Sequence, residues 1–513
     1  MNRYKRVLLG GIALLTLFAV LGLSSWLTIS SRLEARADAP QCSETLQQQM
    51  DQATDNATLH VPACVYREQV TINKPLTLIA DPGAEIRGSD IWTSWASSNN
   101  NWVSTDTVPA FSTHGNCMAN TQDRCLWAEQ VFNDGTPLQH VASAPATGQF
   151  AVDAERHILL GDDPAAHTIE VTTRTAWIVG GADNVTIHGF RMQHAASDAQ
   201  NSAITPNGHL HWTIENNVLS DAHGAVVDIA SYTQVLHNDI SRGGDLGVHG
   251  GNGTDNLLQD NKIHDNNTDA FDTSWEAGGV KVAVEQNLTL DGNEIYNNAG
   301  PGAWCDISCK HVTYSNNQVH DNGGSGLFFE ISDDAKIFNN KIWENGWQYS
   351  AWGWGAGILI SNSSHTEAYN NVLAWNADGI SIISIDRSSD NGDPAWNNVV
   401  GDYIHDNTVV MTGDDPSAQN NGQVYALGWL QTLSNGVLYT SSSDNRAANN
   451  GFWITDKTPQ HFQWDSQDMS DLDAFAATPG GQGSHYLSDT DEESILTQAQ
   501  IPLTPKSRTA VSQ

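Results

Sequence analysis

One pattern of apolar and polar positions recurs along the chain from residue 184 onward. It has the form h-x-h-x-x-N-x-h, where h is apolar, as in TIENNVLS, QVLHNDIS and VTYSNNQVH. Short apolar–polar alternation of this kind is typical of β-strands. The asparagines of the successive copies are Asn217, Asn238, Asn261, Asn293, Asn317, Asn340, Asn371 and Asn407. Most copies therefore lie 21–24 residues apart, and the longer intervals carry extra residues at one recurring place.

This period predicts a parallel β-helix, in which each repeat forms one coil of short strands and stacks on the next. The asparagines are expected to stack at one interior bend, where their amides bond to the next coil and to the backbone of the turn. A structure with Asn261, Asn293, Asn317 and Asn340 on different faces would contradict this alignment. Leucine-rich repeats have a similar period, but their helix-forming half is missing. The predicted fold class is therefore all-β, a right-handed parallel β-helix with a small inserted β domain.

The repeats divide the chain into regions. Residues 41–90 have short β-rich runs broken by Pro and Gly, which predict the start of the β-helix. Residues 91–176 break the rhythm, and their short alternating runs predict the inserted β domain. The repeats occupy residues 177–440. Residues 441–513 form an acidic tail with a short helix near Asp471–Ala477, and we expect this tail to pack over the end of the solenoid.

The first 37 residues predict export from the cytoplasm. Three basic residues among the first six precede an apolar run from Val7 to about Ile29, and Ala35-Arg36-Ala37 resembles a cleavage site. A cleaved signal peptide and an uncleaved membrane anchor both fit this segment. In either case the body of the protein lies outside the cytoplasm, so we expect it to be secreted, periplasmic or anchored on the outer side of the membrane.

Six cysteines in an exported chain favour disulfides. Closeness along the chain predicts three pairs, which are one of 15 possible pairings: Cys42 with Cys64, Cys117 with Cys125, and Cys305 with Cys309. An extended strand would hold Cys305 and Cys309 about 13 Å apart at Cα, too far for a bridge. The third disulfide therefore requires the chain to turn directly after Asp306.

The charge balance narrows the choice of partners. Lys and Arg number 23 against 59 Asp and Glu, which gives a formal net charge of −36. So negative a surface disfavours nucleic acid and anionic membranes as partners, and also a polyanionic substrate unless metal ions bridge to it. Excess acid also serves simply to keep an exported protein soluble. The His and Cys spacing does not match a zinc site.

One unit is written twice in the middle of the repeats. Gly302–Ser308 (GAWCDIS) aligns with Gly326–Ser332 (GLFFEIS), so Asp306 and Glu330 are equivalent positions 24 residues apart. Successive side chains of a strand point to opposite faces. Trp304, Asp306, Phe328 and Glu330 therefore share the outward face, and two carboxylates are expected side by side, each beside an exposed aromatic ring.

Neighbouring repeats extend this outward ladder. Aligning Gly224–Asp228 with Gly302–Asp306 places Asp228 at the level of Asp306, and similar alignments place His249 and Lys281 at the level of Trp304. Long turns next to the ladder add further candidates for substrate binding, which are Trp275, Glu276, Trp352 and Trp354. Insertions at one bend of a solenoid collect on one side and build the walls of a cleft.

Each of these residues also has an ordinary explanation. Outward charged side chains on a β-helix are mostly solvated surface, and loop tryptophans also serve to cover an open coil. The functional interpretation depends on convergence, because two acids, a lysine, a histidine and aromatic rings occupy adjacent coils beside the longest turns. Aromatic faces suit sugar rings, which are apolar on their C–H faces.

The paired motif, W-C-D-I followed one coil later by F-F-E-I-S, resembles the active site of the parallel β-helix β-xylosidases. These belong to the pectate-lyase-like right-handed β-helix repeat proteins, and they too carry a β domain inserted early in the helix. The resemblance implies that Asp306 is the nucleophile and Glu330 the acid/base. It covers the repeats and the position of the insertion. Cys305 stands where the family has an aliphatic residue, and Ser332-Asp333-Asp334 where it has a His-Gly turn.

The geometry of a β-helix points to the same chemistry independently. Adjacent strands lie ~4.8 Å apart, and retaining glycosidases hold their two carboxyl groups ~5–5.5 Å apart whereas inverting ones need ~6.5–9.5 Å. Two carboxylates this close do not both ionise easily, so one pKa rises, which suits a general acid. We therefore expect a retaining glycoside hydrolase, without a cofactor, acting on a plant or microbial polysaccharide or oligosaccharide.

Two other functions fit the same sequence. In a polysaccharide lyase or uronate epimerase, Lys281 would abstract the C5 proton while Asp228, Asp306 and Glu330 hold Ca²⁺ against the substrate carboxylate. The acidic surface and the lack of an arginine on the ladder disfavour this alternative. A non-catalytic carbohydrate-binding or adhesive solenoid is the third possibility, since the fold alone does not decide function.

Overall fold

The computed structural model describes residue 42 and residues 44–98, 101–348, 351–387, 398–413, 423–433 and 436–507. The predicted signal peptide or membrane anchor, residues 1–37, lies outside the described residues. None of the helices in the described ranges is both long enough and apolar enough to cross a membrane. The described residues belong to one compact unit.

Each coil passes in turn through three sheets, which we name the first, second and third sheets. Within the described ranges the strands of the first sheet are Ala57–Val61, Leu76–Ala80, Thr186–His188, Thr213–Glu215, Gln234–Leu236, Leu257–Gln259, Thr289–Asp291, Lys310–Ser315, Asp333–Phe338, Ser364–Tyr369, Tyr403–His405 and Arg446–Ala448. Those of the second are Val65–Tyr66, Glu85–Arg87, Arg191–Ala195, Val218–Ala222, Asp239–Gly243, Lys262–His264, Glu294–Tyr296, Gln318–His320, Lys341–Trp343, Val372–Ala374, Thr408–Met411, Gly451–Ile454 and His485–Tyr486. Those of the third are Val70–Ile72, Ile178–Gly180, Ser202–Thr205, Ala225–Ile229, Leu246–Gly251, Gly278–Ala283, Ala303–Asp306, Leu327–Glu330, Ala356–Ser361, Asp378–Ser384, Leu427–Gln431, Phe462–Trp464 and the antiparallel Gln467–Met469.

Apolar side chains at equivalent positions fill the interior of the coils. In the first sheet Ile187, Ile214, Val235, Leu258 and Leu290 pair in register, strand after strand, and each is 0–1% exposed. Full burial of such a side chain stabilises the fold by about 1.5–3 kcal/mol. Because every coil contributes its own set, the core extends along the whole solenoid and confirms the predicted all-β parallel architecture.

The asparagine stack is confirmed at the bend between the first and second sheets. Asn317 is representative: its Oδ1 accepts from the backbone N–H of Asn293 at 2.9 Å, and its Nδ2 donates to Leu290 O at 2.9 Å and to Asn340 Oδ1 at 3.0 Å. The same bonds link the eight predicted asparagines and continue to Asn450. Each asparagine side chain thus forms hydrogen bonds with buried backbone groups of the bend, which have no partners in the sheets.

A second asparagine stack lies at the bend between the second and third sheets. Its members follow the first stack by five residues in five successive coils, and they are Asn266, Asn298, Asn322, Asn345 and Asn376. They bond to one another at 2.8–2.9 Å and are buried. The sequence analysis did not predict this stack, although the N-x-x-x-x-N spacing in each repeat is its signal.

The coils are interrupted between Arg87 and Ile178. The chain forms a five-stranded sheet of Gln139–His140, Gln149–Val152, His157–Leu160, Asn101–Thr107 and Trp95–Ser98, and a four-stranded sheet of Thr136–Pro137, Val131–Asn133, Ile169–Thr172 and Ser89–Ile91. Apolar side chains such as Phe150, Ile158 and Ile169 form its own core. Glu170 ties it to the solenoid through ion pairs with Arg67, at 2.8 Å, and Arg87.

The two ends of the solenoid differ from the sequence analysis. Helix Leu46–Gln52 precedes the first coil, with Leu46 and Met50 buried in the solenoid core, where we predicted only strands. At the other end a further coil, with strands Arg446–Ala448 and Gly451–Ile454, follows residue 440 because Asn450 continues the stack. Helix Leu472–Ala476 matches the short helix predicted in the tail, whereas helix Asp489–Ala499 was not predicted.

All three predicted disulfides are present, namely Cys42–Cys64, Cys117–Cys125 and Cys305–Cys309. The Cα atoms of Cys305 and Cys309 lie 6.3 Å apart, far less than an extended strand allows. The chain therefore turns directly after Asp306, as the pairing requires. Ile307 and Ser308 make this turn with φ of 27° and 63°.

Candidate active site

The two acidic residues of the repeated unit lie on neighbouring strands of the third sheet. Strand Ala303–Asp306 pairs in parallel with Leu327–Glu330, and the register joins Trp304 to Phe328 and Cys305 to Phe329. The next position in this register places Asp306 beside Glu330. Both side chains line one cleft of about 760 Å³, so the structure brings together the pair that the sequence aligned.

The strand register confirms the predicted level of most residues of the outward ladder. One residue lies two positions away from its predicted level. The register joins Asp228 to His249, His249 to Lys281, and Lys281 to Trp304. Asp228 therefore stands at the level of Trp304 and not, as the alignment predicted, at the level of Asp306. The glycine used for that alignment precedes a longer strand, Ala225–Ile229, which enters the sheet earlier.

Asp306 is held by an ion pair and by its own turn. Its Oδ2 lies 3.2 Å from Lys281 Nζ, and its Oδ1 accepts from the N–H of Ile307 at 2.8 Å. Lys281 also lies 3.5 Å from Glu276 Oε2, donates to the carbonyl of Trp275 at 2.5 Å, and sits 3.8 Å from the centre of the Trp304 ring. The Asp306 side chain is 22% exposed, so it faces the open cleft.

Glu330 has a different environment. It is 6% exposed, its Oε2 accepts from Trp304 Nε1 at 3.1 Å, and Oε1 forms an ion pair with Arg387. Burial raises the pKa of Glu330 to about 7; the Arg387 guanidinium opposes this rise and the charge of Asp306 adds to it. Near neutral pH this carboxyl group therefore exchanges a proton readily, which is what an acid/base residue must do.

The sequence analysis missed Arg387. This residue follows strand Asp378–Ser384, two coils beyond Glu330, and its guanidinium also lies within 3.2 Å of Ser361 Oγ. Arg387 comes shortly after the end of a third-sheet strand, and this position in the sequence could have identified it as a candidate. The cleft therefore contains an arginine, contrary to our prediction. The predicted lack of an arginine no longer counts against lyase or epimerase chemistry.

A second polar group occupies the part of the cleft away from Glu330. His249 Nδ1 lies 3.0 Å from Asp228 Oδ1, and His249 Nε2 lies 3.9 Å from Glu276 Oε1. Burial lowers the pKa of His249, but the hydrogen bond and charge of Asp228 outweigh it and raise the pKa overall. These three residues all line the cleft, as predicted for substrate binding.

The predicted aromatic residues take three positions. Trp275 is half-buried and lines the cleft beside Lys281. Trp304 and Phe328 are only 4% and 6% exposed and stack on each other at 5.0 Å, so the expectation of exposed platforms is wrong. Trp352 and Trp354, from the long turn, are half-buried and pack against the apolar cluster that contains this pair, with Trp354 edge-on to Phe328 at 6.3 Å. The turn covers the rings that the sequence pattern would leave open.

The Ca²⁺ ligands of the lyase alternative do not converge. Three strand-to-strand steps separate Asp228 from Asp306, which is about 14 Å at ~4.8 Å per step. Calcium ligands lie within ~2.6 Å of the ion, so Asp228 cannot share one with Asp306 and Glu330. Nor do the described residues elsewhere bring together three or more His, Cys, Asp or Glu side chains in an arrangement that could hold a metal.

Comparison with known proteins agrees with this fold. The family model described as "Right handed beta helix region" matches residues 202–373. The structure of XylC in complex with xylose has a TM-score of 0.57 and 15% identity, with 75% of this chain and 82% of that chain covered. The A-module of the Azotobacter vinelandii mannuronan C-5 epimerase AlgE4 has a TM-score of 0.45 and 13% identity, with 86% and 94% covered. Pectate lyase Pel9A has a TM-score of 0.39 and 12% identity, with 90% of each chain covered.

A comparison with curated protein sequences finds no match. At the identities of the structural neighbours, the likeness is one of fold. The chain is a right-handed parallel β-helix, as its repeats predict.

Proposed function

We propose that this protein is a retaining glycoside hydrolase in which Asp306 is the nucleophile and Glu330 the acid/base. The observation that carries the proposal is the contrast between two carboxyl groups on adjacent strands of one cleft. Asp306 is paired with the ammonium of Lys281, whereas burial raises the pKa of Glu330 to about 7. One group is thus held by an ion pair in position for attack, and the other is available to give up a proton.

The reaction proceeds in two steps. In the first, Glu330 donates its proton to the glycosidic oxygen while Asp306 attacks the anomeric carbon, so the C–O bond to the leaving group breaks and a glycosyl ester forms. In the second, the ionised Glu330 takes a proton from water, and the resulting hydroxide displaces Asp306. Two inversions at the same carbon retain its configuration.

The remaining residues of the cleft bind and orient the sugar. Lys281 holds the Asp306 carboxylate in place and offsets its negative charge until the ester forms. Asp228, His249 and Glu276 present two carboxylates and an imidazole to hydroxyl groups of the substrate. Because these side chains already pair with one another, the cleft is ordered before the substrate binds.

Two comparisons support a saccharide substrate. The structural neighbour XylC is described in complex with xylose, and this chain shares its fold. The W-C-D-I and F-F-E-I-S pair resembles the active-site pair of the parallel β-helix β-xylosidases. The three disulfides favour an oxidising location for the protein, so we place the reaction outside the cytoplasm.

The second candidate is a lyase or epimerase that acts on a uronate polymer. Arg387 favours it, because a guanidinium in the cleft suits a substrate carboxylate. Two features oppose it: Lys281 is already engaged in ion pairs with Asp306 and Glu276, and the proposed Ca²⁺ ligands lie too far apart.

A substrate panel tests the proposal. Aryl glycosides of common pentoses and hexoses in both anomeric forms, together with uronate polymers, are incubated with and without chelator. We expect release of phenol from one class of aryl glycoside, unaffected by chelator, and an initial product with the configuration of the substrate by NMR. Release of unsaturated uronate, a need for Ca²⁺, or an inverted product would contradict the assignment.

The variant Lys281→Ala separates the two candidates further. In the hydrolase it removes a partner of Asp306 and should lower kcat/KM about 10- to 100-fold, without eliminating turnover. In the lyase it removes the base and should eliminate the reaction. Complete inactivity of a folded Lys281→Ala protein, with Asp306→Asn still active, would favour the lyase.

A further inference from the structure

A second cavity, of about 350 Å³, adjoins the cleft at Glu330. The two cavities share Ser274, Trp304, Glu330 and Arg387 among their lining residues. Asp306 and Lys281 line the larger cleft and do not belong to the described lining of the second cavity. Glu330 therefore stands where the two spaces meet, with Asp306 on one side.

The two spaces differ in chemistry. The cleft is lined by Asp228, His249, Glu276, Lys281 and Asp306, which offer hydrogen bonds to hydroxyl groups. Rings and aliphatic side chains form half of the second cavity's lining, and they are Pro301, Trp304, Phe328, Trp354, Leu359 and Ile385. The polar part of its described lining consists of the hydroxyl groups of Thr273, Ser274 and Ser325 and the charges of the shared Glu330 and Arg387. One space suits a sugar, and the other suits an apolar group.

The apolar wall is a fixed part of the fold. Trp304 stacks on Phe328 at 5.0 Å, and Trp354 meets Phe328 edge-on at 6.3 Å. Leu359 follows Phe328 in the register of the third sheet, and it is 1% exposed. The hydrogen bond from Trp304 Nε1 to Glu330 joins this wall to the acid itself. The cavity is therefore shaped before anything binds in it.

The place of a leaving group follows from the proposed function, on which this inference rests. The acid protonates the oxygen between the sugar and the leaving group, so the leaving group lies on the side of Glu330 away from Asp306. That side is the second cavity. We infer that this cavity binds the leaving group, and that the natural substrate carries an apolar one, an aryl or long alkyl alcohol, rather than a second sugar.

A second sugar would be poorly accommodated there. The faces of a sugar ring can lie on aromatic rings, but each of its hydroxyl groups needs a hydrogen-bond partner once it is removed from water. The rings and aliphatic side chains that form half of the lining supply none, which leaves only its three hydroxyl and two charged side chains. An aromatic ring needs no hydrogen-bond partner and gains contact with Trp354 and Phe328. The inference therefore departs from the polysaccharide substrate that the sequence analysis expected.

The test compares leaving groups of equal chemical reactivity. Methyl and benzyl glycosides are made of the sugar most active in the aryl panel, starting with β-D-xylose, together with the corresponding disaccharide. Methanol and benzyl alcohol leave with similar ease, so a difference in kcat/KM reports binding in the cavity. We expect the benzyl glycoside to exceed the methyl glycoside and the disaccharide about 10- to 100-fold.

Variants locate the effect. Trp354→Ala and Ile385→Thr should each reduce the ratio of kcat/KM for the benzyl glycoside to kcat/KM for the methyl glycoside at least about 5-fold, whatever their absolute rates. Trp275→Ala, a matched change in the cleft, should lower both substrates equally. Benzyl and methyl glycosides turned over alike, or a preferred disaccharide, would overturn the inference while leaving the hydrolase assignment intact.

A binding measurement keeps the two claims separable. Benzyl alcohol alone, observed by saturation-transfer NMR, should receive magnetisation from the wild-type protein and much less from Trp354→Ala and Ile385→Thr. Binding with no turnover of any glycoside would contradict the proposed function but not the cavity. Turnover of glycosides without this signal would overturn the inference alone.

Discussion

Two regions of each coil follow opposite rules. At the bend between the first and second sheets, every coil from Asn217 to Asn450 supplies the same residue in the same hydrogen bonds. On the outward column of the third sheet, every coil supplies a different one. In register this column reads Asp228, His249, Lys281, Trp304, Phe328 and Leu359.

The difference separates what each coil needs from what one place needs. A bend leaves backbone donors and acceptors unpaired in every coil, so every coil needs the same amide. The outward column has no such requirement, and its residues are free to differ. Residues that differ from coil to coil at adjacent positions therefore indicate a functional site, whereas a residue repeated in every coil indicates a structural role.

Two buried carboxyl groups show the same contrast in their titration. Burial raises the pKa of Glu330, in the cleft, to about 7, and that of Asp402, at the bend between the third and first sheets, also to about 7. Asp402 accepts from the N–H of Thr366 at 2.8 Å and donates its own N–H to Asn445. Equal pKa values thus occur at a candidate acid and at a structural turn, and mutation should distinguish them.

The largest effect is expected at Asp306. Asp306→Asn should lower kcat by about 10⁴-fold or more on every glycoside, because no glycosyl ester can form. Its unfolding temperature should stay close to that of the wild type, since the amide keeps most contacts. Asp333→Asn, a matched change of a half-buried acid on the first sheet that pairs with His365, should leave activity unaltered. A folded Asp306→Asn protein with near-normal activity would refute the assignment.

Glu330 should give the next largest effect, and one that depends on the leaving group. Glu330→Ala should lower kcat about 10²- to 10⁴-fold on alkyl glycosides, which need protonation. Activated aryl glycosides should instead form the ester and stall, and azide should restore turnover by replacing water. Absence of azide rescue, with alkyl and aryl substrates equally impaired, would argue against an acid/base role.

The pH profile sharpens the same prediction. The first step requires protonated Glu330, whose pKa is raised to about 7 by burial, so kcat/KM on alkyl glycosides should fall as pH rises through 7. In Glu330→Gln, the low residual rate should lose this fall. A wild-type profile that is flat between pH 6 and 8 would contradict Glu330 as the acid.

At the bend, mutation should affect stability and not chemistry. Asn317→Ala leaves buried donors of Asn293 without their acceptor, which should lower the free energy of unfolding by about 3 kcal/mol. The folded variant should keep its kcat. The control Gln318→Ala, one residue on, should change stability by less than about 1 kcal/mol. Denaturant unfolding measures the free energy of unfolding of both variants. Equal losses in the two variants would contradict the distinction between bend and surface.

Asp402 should give the smallest effect, visible as a pH dependence of stability. Its folded-state pKa of about 7 lies above the unfolded value, so the folded state holds a proton that the unfolded state releases. Its contribution is fully present below about pH 4 and is lost as pH rises through 7. Between pH 5 and pH 7 the wild type should therefore lose about 2 kcal/mol of its free energy of unfolding through this group. Asp402→Asn, whose amide does not titrate, should not show this loss. Unfolding curves at both pH values test this, and parallel changes in the two proteins would contradict it.

The sequence predicted those parts of the molecule that repeat. Regular spacing predicts the coils and the asparagine stack, and duplication of one unit predicts that Asp306 and Glu330 lie side by side on neighbouring strands. Closeness along the chain predicts all three disulfides. These inferences succeed because neighbouring coils impose the same local requirement on the same residue.

The rest depended on contacts that spacing does not record. Arg387 comes from a segment after a strand two coils away, and its approach to Glu330 follows from how that segment folds back. Burial of Trp304 and Phe328 depends on Trp354, from a turn whose course is not periodic. Asp228 was misplaced by two residues because glycine alignment ignores where a strand enters the sheet.

The ring closed by Cys305 and Cys309 contains Asp306 and holds the turn that sets its carboxylate. In a reducing cytoplasm these two residues are thiols, and the turn loses its covalent closure. We therefore expect the nucleophile to reach its working position only once the chain has met an oxidant. Under the proposed function, glycosides inside the producing cell would then be spared because the protein matures only on oxidation, without a separate inhibitor.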